Sequence, residues 1–348
     1  DGGEGFSTIL TSGADGEHRK FEARDSLGRQ KTVHFGLCRA ERLPPKAGEF
    51  LSLNGSEKIA ILEMASVVGL ADLKQEERNP WNTTTLGVGE LMREVAGLGV
   101  DLILLGIGGS STNDAGLGAL SSLGLRFLDQ DGRRIEVPCP SSWNQVSRIE
   151  TDELMALPPV VIACDVKNRL LGPEGATHQF GPQKGLPDNE LAYLEAAVTD
   201  MLAKLVQNFP TAREISEMPG TGAAGGIGFG LSLNYETSLK PGFSLLDHWF
   251  GLEEQIGKSD LILTGEGRFD RTSMSGKGPF EVIRLAHRYK RKCLVLAGSV
   301  EEEARRECID RFPFCSIEAF GREDLTLEEN FSQAPSLFKA KLETLLPS

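Results

Sequence analysis

Short apolar runs alternate along this chain with stretches whose apolar residues recur at helical spacing. The short runs predict buried strands near 58–64, 102–105, 158–163, 261–264, 293–297 and 314–319, and an alternating pattern over 31–35 predicts a further strand. The helical stretches lie near 86–98, 115–123, 188–208, 280–287 and 335–346. Strands that alternate with helices predict an α/β fold with a parallel sheet, in which ligands bind beyond the carboxyl ends of the strands.

The clearest of these segments joins a strand to a glycine turn. The apolar run 102–105 ends at Gly106, Gly108 and Gly109, and the polar run 110–114 follows. Serine, threonine, asparagine and aspartate cap helices, so we expect a helix to begin directly after them. A glycine turn before a helix is typical of an anion site, because the first amides are unpaired and the helix dipole is positive there. An ordinary tight turn between a strand and a helix is the alternative.

The composition fits a glycine-rich α/β protein and argues against nucleic-acid binding. The chain has 348 residues, enough for two domains, with 40% hydrophobic residues and 40 glycines. Its formal net charge of -13 lacks the basic excess of most nucleic-acid-binding proteins. A small anion remains compatible, because local dipoles and a few cations decide its binding.

Six cysteines are scattered along the chain without a CxxC pair, which argues against a zinc site or a disulfide framework. Cys164 and Cys293 lie in apolar, strand-like runs. We therefore expect reduced, buried thiols in a cytoplasmic protein. No apolar run approaches membrane-spanning length and no signal peptide is visible, so no membrane is expected as a partner.

A second glycine-rich segment, 219–228, contains the pattern Gly220-x-Gly222-x-x-Gly225. This pattern occurs in dinucleotide-binding sites, but there it follows a strand, and the residues before it here are polar and end at a proline. A nicotinamide dehydrogenase is therefore not favoured. We expect a glycine-rich turn that opens a closely packed helix.

Residues suited to phosphoryl transfer follow several predicted strands. They are the 106–114 segment, Asp165, the 265–270 segment and the pair 298–299, with Lys184 and Lys277 in glycine-flanked contexts. Amides and lysines neutralise phosphate oxygens, and carboxylates hold Mg²⁺ or accept a hydroxyl proton. No GxxxxGK[ST] loop occurs, so any nucleotide site is of another kind. Each residue also has a structural alternative: a turn cap for Asp165, a solvated carboxylate for Glu266 and a surface lysine for Lys184.

Several segments, in the same order over nearly the whole chain, resemble the signature segments of the glycerate kinase type 1 family of bacteria. They are Gly106-Ile-Gly-Gly-Ser-Ser-Thr-Asn-Asp114, Ala163-Cys-Asp-Val-Lys-Asn168, Phe180-Gly-Pro-Gln-Lys-Gly185, Pro219-Gly-Thr-Gly-Ala-Ala-Gly-Gly226, Thr264-Gly-Glu-Gly-Arg-Phe-Asp270 and Ser275-Gly-Lys277. The resemblance implies a kinase that uses ATP and Mg²⁺. It would phosphorylate D-glycerate at the 2-hydroxyl and release 2-phospho-D-glycerate and ADP.

The resemblance also implies two α/β domains around a cleft: a flavodoxin-like parallel-sheet domain, and a larger mixed-sheet α/β domain inserted into it. On this template residues 1–8 and 256–348 form the flavodoxin-like domain, and residues 9–255 form the insert. Family members carry a strand and a helix before the segment at which this chain enters. The resemblance therefore implies that the family's N-terminal segment is missing here.

Residue chemistry suggests roles that the resemblance does not fix. Gly108, Gly109, Ser110 and Thr112 are predicted to bind an anion, with Asp1 and Asn113 in the same substrate and phosphate set. Asp165 or Asp114 would be the catalytic base, and Lys184 and Lys277 would contact phosphates. Glu266 and Asp270 would hold Mg²⁺, while Arg268 would grip the substrate carboxylate.

The alternative from another functional class is a non-catalytic α/β module that binds a nucleotide or a small acid. On either view the expected partners are small molecules and not nucleic acid. The sequence does not decide whether the chain forms a homo-oligomer. The choice between the 2- and 3-hydroxyl and the domain that holds ATP are also left open.

Overall fold

The computed structural model describes residues 2–274 and 278–345, and it divides into two compact units. The first unit is Asp1–Trp249 and the second is Phe250–Ser348. The residues predicted to begin a discontinuous flavodoxin-like domain, 1–8, cluster with the first unit. The discontinuous assignment to residues 1–8 and 256–348, with 9–255 inserted, stays a prediction.

The first unit is built on a mixed six-stranded sheet with the order β1-β2-β3-β4-β7-β8. Its strands are β1 Glu17–Arg24, β2 Gln30–Arg39, β3 Lys58–Glu63, β4 Leu102–Gly106, β7 Val160–Ala163 and β8 Thr237–Lys240, and a separate hairpin pairs β5 Arg126–Leu128 with β6 Arg148–Glu150. The β1-β2-β3 pairs are antiparallel, and the β3-β4-β7-β8 pairs are parallel. The α/β prediction is confirmed, and here the sheet is mixed.

Helices cover this sheet and enclose the core. They are α1 Phe6–Gly13, α2 Pro45–Phe50, α3 Met64–Val68, α4 Leu86–Gly97, α5 Leu117–Ser122, α6 Ala176–Phe180, α7 Leu191–Leu205, α8 Ala212–Ser216, α9 Ile227–Ser232 and α10 Gly242–Phe250. Strands β4 and β7 are buried along their whole length, which explains why their sequences are continuous apolar runs and do not alternate.

The register of the parallel strands aligns their carboxyl ends. Glu63 pairs with Gly106, Gly106 with Ala163, and Ala163 with Lys240. We call this line of four residues, together with the loops that leave it, the carboxyl edge. It is the place at which parallel sheets usually bind ligands.

The second unit contains a three-stranded parallel sheet with the order β11-β10-β9. Its elements are α11 Leu252–Lys258, β9 Leu261–Phe269, α12 Gly278–Arg288, β10 Lys292–Val300, α13 Glu302–Arg311, β11 Cys315–Ala319 and α14 Leu327–Leu345. Each predicted strand of this region is confirmed. However, β9 continues five residues beyond the expected end at Thr264, because residues 265–269 keep pairing with β10.

Two predicted helix starts are wrong. The helix expected directly after Asp114 begins at Leu117, and the final helix begins at Leu327, well before Pro335.

The prediction of buried thiols is confirmed, since all six cysteines are buried and free. Within the described residues, no helix combines the length and apolar character needed to cross a membrane.

Candidate functional site

The loop from Ile107 to Gly116 leaves the carboxyl edge after β4 as an irregular segment tied down by hydrogen bonds. The Leu70 amide donates to the carbonyl of Gly109 at 2.8 Å. The amide and the hydroxyl of Ser111 both donate to the Val68 carbonyl, at 2.9 and 2.8 Å. Gly109 has a φ of +71°, a conformation that a side chain would strain. The loop therefore has a defined shape without being helical.

Asp114 organises the end of this loop and is wholly buried. Its carboxylate accepts from the Thr85 amide at 2.7 Å, from the Thr85 hydroxyl at 2.9 Å and from the Thr84 hydroxyl at 3.3 Å. The amides of Gly116 and Gly118 also donate to it, at 3.1 and 3.2 Å. Burial raises the pKa of Asp114, while these hydrogen bonds act in the opposite direction. The carboxylate thus links α4 to α5.

The first amides of α5 are already occupied, so the expectation of an anion at this helix start is not met. The Leu117 amide donates to the Asp114 carbonyl at 2.9 Å, the Gly118 amide to the Asp114 carboxylate at 3.2 Å, and the Ala119 amide to the Thr85 hydroxyl at 2.9 Å. The residues predicted to contact the anion, Gly108 to Thr112, lie at least five positions before Leu117. Any anion bound by this loop must therefore be held by side chains and by loop amides.

Two polar atoms of the loop are buried without a partner: Thr112 Oγ1 and Asn113 Oδ1. The Asn113 amide nitrogen does have one, since it donates to the Thr177 hydroxyl at 3.2 Å. Buried polar atoms without partners are uncommon in folded proteins and often mark a position where a water or a ligand binds.

Lys184 reaches the same loop and is only 2% exposed. Its Nζ donates to the Thr112 carbonyl at 2.6 Å and to the Ser110 hydroxyl at 3.3 Å. Burial lowers the pKa of Lys184 to about 7, and the charge of Asp114 acts in the opposite direction. The alternative of a surface lysine is therefore wrong for Lys184, because its side chain is buried.

The N-terminal glycines cross the carboxyl edge beside this loop. The Gly108 amide donates to the Gly2 carbonyl at 2.9 Å, and a Cβ at Gly108 would approach the Gly3 backbone to 2.8 Å. Only glycine at position 108 permits this approach. Asp1, predicted to bind substrate, lies outside the described residues.

Glu63 holds this N-terminal segment and was missed by the sequence analysis. Its carboxylate is buried and accepts from the amides of Gly5 at 3.1 Å and Ser7 at 3.0 Å, at the start of α1. Burial raises the pKa of Glu63, against the effect of those two bonds. The available signal was a carboxylate ending an otherwise apolar run, 59–63.

Asp165 follows β7 at the same edge and is exposed. Its Oδ1 accepts from the amides of Gly242 at 2.7 Å and Phe243 at 3.3 Å, at the start of α10. These bonds fix the direction of the carboxylate, and the positive end of the helix dipole stabilises its charge. Asp165 therefore combines an oriented carboxylate with access to solvent.

The glycine-rich turn 219–226 fits between two of these loops, which explains its glycines. A Cβ at Gly222 would overlap the Arg169 carbonyl, and one at Gly225 would overlap the Thr112 carbonyl. The turn is followed by α9, as predicted, and Gly230 of this helix lies too close to the Ala115 carbonyl to carry a side chain. Its glycines therefore allow close packing of the backbone.

In the second unit, the predicted metal and carboxylate ligands lie on and just beyond β9. Glu266 and Arg268 belong to the strand, and Asp270 follows it. Arg268 is 69% exposed and its Nε lies 3.5 Å from Asp270 Oδ2. Asp270 Oδ1 accepts from the Thr272 amide at 2.8 Å and its hydroxyl at 2.6 Å. Lys277 lies outside the described residues.

Comparison with known proteins places this arrangement in a family. The sequence profile of the glycerate kinase family matches residues 1–346, which is almost the entire chain. The chain belongs to the glycerate kinase family. The resemblance inferred from the sequence motifs is therefore confirmed.

Named glycerate kinases are similar over most of this chain. A glycerate kinase from Haemophilus influenzae is 34% identical over 309 residues, 87% of this chain and 76% of that protein. A glycerate 2-kinase from Escherichia coli is 32% identical over 305 residues, 87% of this chain and 75% of that protein. A crystal structure assigned as glycerate kinase 2 from Salmonella typhimurium LT2 aligns with a TM-score of 0.69 and 28% identity, over 99% of this chain and 88% of that one.

Proposed function

We propose that this member of the glycerate kinase family transfers the γ-phosphate of ATP to the 2-hydroxyl of D-glycerate. The observation that carries the proposal is the pairing of two features at the carboxyl edge. One is the oriented, exposed carboxylate of Asp165. The other is the 110–113 loop, with two unpartnered buried polar atoms and the ammonium group of Lys184.

Asp165 is the proposed base. Its carboxylate accepts the proton of the 2-hydroxyl as the hydroxyl oxygen attacks the γ-phosphorus. The bond from that phosphorus to the bridging oxygen breaks, and its electron pair leaves with ADP. Asp114, the second candidate, is less suited, because it is fully buried and its carboxylate already accepts five hydrogen bonds.

The 108–113 loop is the proposed binding site of the transferred phosphoryl group or of the substrate oxygens. The Thr112 hydroxyl can donate to an anionic oxygen and the Asn113 carbonyl oxygen can accept from a substrate hydroxyl. Lys184 holds this loop through Ser110 and Thr112, and its ammonium group contributes positive charge there. Gly109, Lys277 and Asp1 remain proposed members of the set.

Glu266 or Asp270 is the proposed protein ligand of Mg²⁺, which would neutralise phosphate charge. Extended chain rises about 3.3 Å per residue, so four residues separate their Cα atoms by roughly 13 Å, and one ion would contact one of them. Mg²⁺ at such sites takes one or two carboxylates, with phosphate oxygens and waters completing its shell. Among the described residues no group of three or more metal-ligating side chains is assembled. Arg268 is the proposed partner of the substrate carboxylate.

The test is ADP release from ATP and Mg²⁺ with and without D-glycerate, with the product identified by ³¹P NMR. We expect release that depends on D-glycerate and a product phosphorylated at the 2-position. A 3-phosphorylated product would disprove the proposed position of transfer. No glycerate-dependent release from a folded protein that still binds ATP would leave the non-catalytic binding module.

A further inference from the structure

A groove in the first unit is lined mainly by the loop that follows Asp165 in the chain. Its volume is 830 Å³, and it is lined by residues that include Lys167, Asn168, Arg169, Gly172, Glu174 and Glu217. Most of these residues belong to the loop that leaves the carboxyl edge after β7. We call this cavity the 167–174 groove. None of the roles assigned above uses it.

The wall of the groove is rigidly built. The Asn168 carbonyl accepts from the amides of Gly220 at 3.1 Å and Gly222 at 3.0 Å. The Asn168 side chain donates to the Glu174 carbonyl at 2.7 Å, which closes the loop on itself. The Gly172 amide donates to Glu195 Oε1 at 2.6 Å and ties the loop to α7. A wall fixed in advance reduces the entropic cost of binding a ligand.

Two cations of the groove are available to an anion. Lys167 is exposed to solvent. Arg169 is 59% exposed and pairs with Glu217 at 2.9 Å, where Glu217 is 62% exposed. Exposed pairs of this kind contribute little to stability, so the guanidinium can exchange Glu217 for a phosphate at small cost. Arginine then offers two parallel donors to phosphate oxygens.

Size decides which substrate of the proposed reaction this groove can hold. Pockets for drug-sized ligands measure roughly 300–1,000 Å³, and the groove falls within that range. A three-carbon acid would leave most of this space empty, whereas a nucleoside triphosphate would fill much of it. Lys167, which lines the groove, follows Asp165 by two residues in the chain, so phosphates held by Lys167 would have their reactive end toward the proposed base.

We propose that the 167–174 groove binds the nucleoside triphosphate, with Lys167 and Arg169 contacting its phosphates. This inference rests on the proposed function and assigns the nucleotide to the first unit. Each cation would supply a charge-assisted hydrogen bond to a phosphate oxygen, so losing both weakens nucleotide binding at least about tenfold.

The experiment measures binding of a non-hydrolysable ATP analogue by calorimetry, without D-glycerate. In the double variant Lys167→Ala/Arg169→Ala the Kd rises at least about tenfold, and it rises less in Lys167→Arg/Arg169→Lys, which keeps both positive charges. The control is Lys20→Ala/Arg133→Ala, which removes two exposed cations elsewhere in the first unit and leaves the Kd unchanged.

The outcomes separate this inference from the proposed function. A Kd that rises equally in the double variant and in the control would overturn the groove assignment, as would a Kd unchanged in both. In either case glycerate-dependent ADP release by the wild type would leave the kinase reaction standing. Failure of the wild type to bind the analogue would overturn both.

Discussion

The carboxyl edge of the first unit and the end of β9 in the second unit both carry charged residues, but they hold them differently. Asp114 and Lys184 are buried and have fixed hydrogen-bond partners. Arg268 is 69% exposed, and its 3.5 Å pair with Asp270 is looser than the contacts of the first unit. The first region has a geometry set by folding, whereas in the second the Arg268 side chain can move at little cost, with Asp270 held by Thr272.

This difference separates two kinds of contribution to the proposed reaction. Buried, hydrogen-bonded groups keep their positions when substrate arrives, which suits the groups that orient reacting atoms. Exposed groups adjust to whatever binds, which suits contacts to flexible phosphates or to an ion. Substitutions in the first region should therefore affect both folding and turnover, whereas those in the second should affect binding and leave folding nearly unchanged. Asp165 is the intermediate case, exposed yet oriented by α10.

The largest effect is expected for Asp165→Asn. The asparagine carbonyl can still accept from the Gly242 and Phe243 amides, so the cap of α10 survives while the base is lost. We expect kcat for glycerate phosphorylation to fall by about 10²–10⁴, with the free energy of unfolding changed by less than about 1 kcal/mol. Steady-state kinetics and urea denaturation measure the two quantities. Unchanged kcat would exclude Asp165 as the base.

Asp114→Ala should give the largest loss of stability. Removing this carboxylate leaves five donors without their acceptor in a fully buried site. We expect the free energy of unfolding to fall by about 3–5 kcal/mol, as when one partner of a buried charged network is removed. Asp131→Ala is the control, because Asp131 is 58% exposed in its pair with Arg133, and it should cost less than about 0.5 kcal/mol. Equal losses in the two variants would contradict the structural role of Asp114.

A matched pair of glycine substitutions tests the contrast between the two units. Gly225 has a φ of +73°, and a Cβ there would overlap the Thr112 carbonyl. Gly225→Ala should therefore cost about 2–4 kcal/mol, from backbone strain and from overpacking. Gly267 on β9 has nothing within 4 Å of the added Cβ, so Gly267→Ala should be nearly neutral. Thermal denaturation compares the two variants, and equal costs would show that the glycine-rich turn is not closely packed.

Much of this fold could be predicted from sequence, because β4, β7 and β10 are apolar runs that are buried in the structure. The helix after Asp114 was placed too early for a local reason. Ser110 to Asp114 all have the composition of caps, and it is the last of them, Asp114, whose side chain accepts from the amides of Gly116 and Gly118. Sequence composition identifies residues able to cap, and tertiary contacts decide which one does.

The site was harder to predict, because its decisive contacts join residues far apart in the chain. Glu63 accepts from Gly5 and Ser7, more than fifty positions away. The contact of Gly222 with the Arg169 carbonyl is equally non-local, and it gives a dinucleotide-like pattern a packing role. Residue types suggested phosphoryl transfer, but only the three-dimensional structure distinguishes the buried Asp114 from the exposed Asp165.

The smallest expected effect concerns how Lys184 changes stability with pH. Burial lowers the pKa of Lys184 to about 7, from an ordinary value of 10.5. Below pH 7 the lysine is therefore protonated in both the folded and the unfolded state. Folding then carries the full cost of burying the charge. Above pH 7 the folded state loses the proton and the unfolded state keeps it, so stability rises with pH by about 1.4 kcal/mol per unit. Between pH 6.5 and 9 the free energy of unfolding of the wild type should therefore rise by about 2.5 kcal/mol relative to that of Lys184→Met.

Urea denaturation of both proteins across this pH range measures that gain. The control is Lys20→Met, since Lys20 is exposed, and its free energy of unfolding should differ from that of the wild type by the same amount at every pH tested. A flat difference for Lys184→Met as well would mean that the buried ammonium keeps its proton in the folded state throughout. The hydrogen bonds to Thr112 and Ser110 would then outweigh the cost of burial. In that case Lys184 would act as a cation beside the loop throughout this pH range, and the carboxyl edge would keep its positive charge between pH 6.5 and 9.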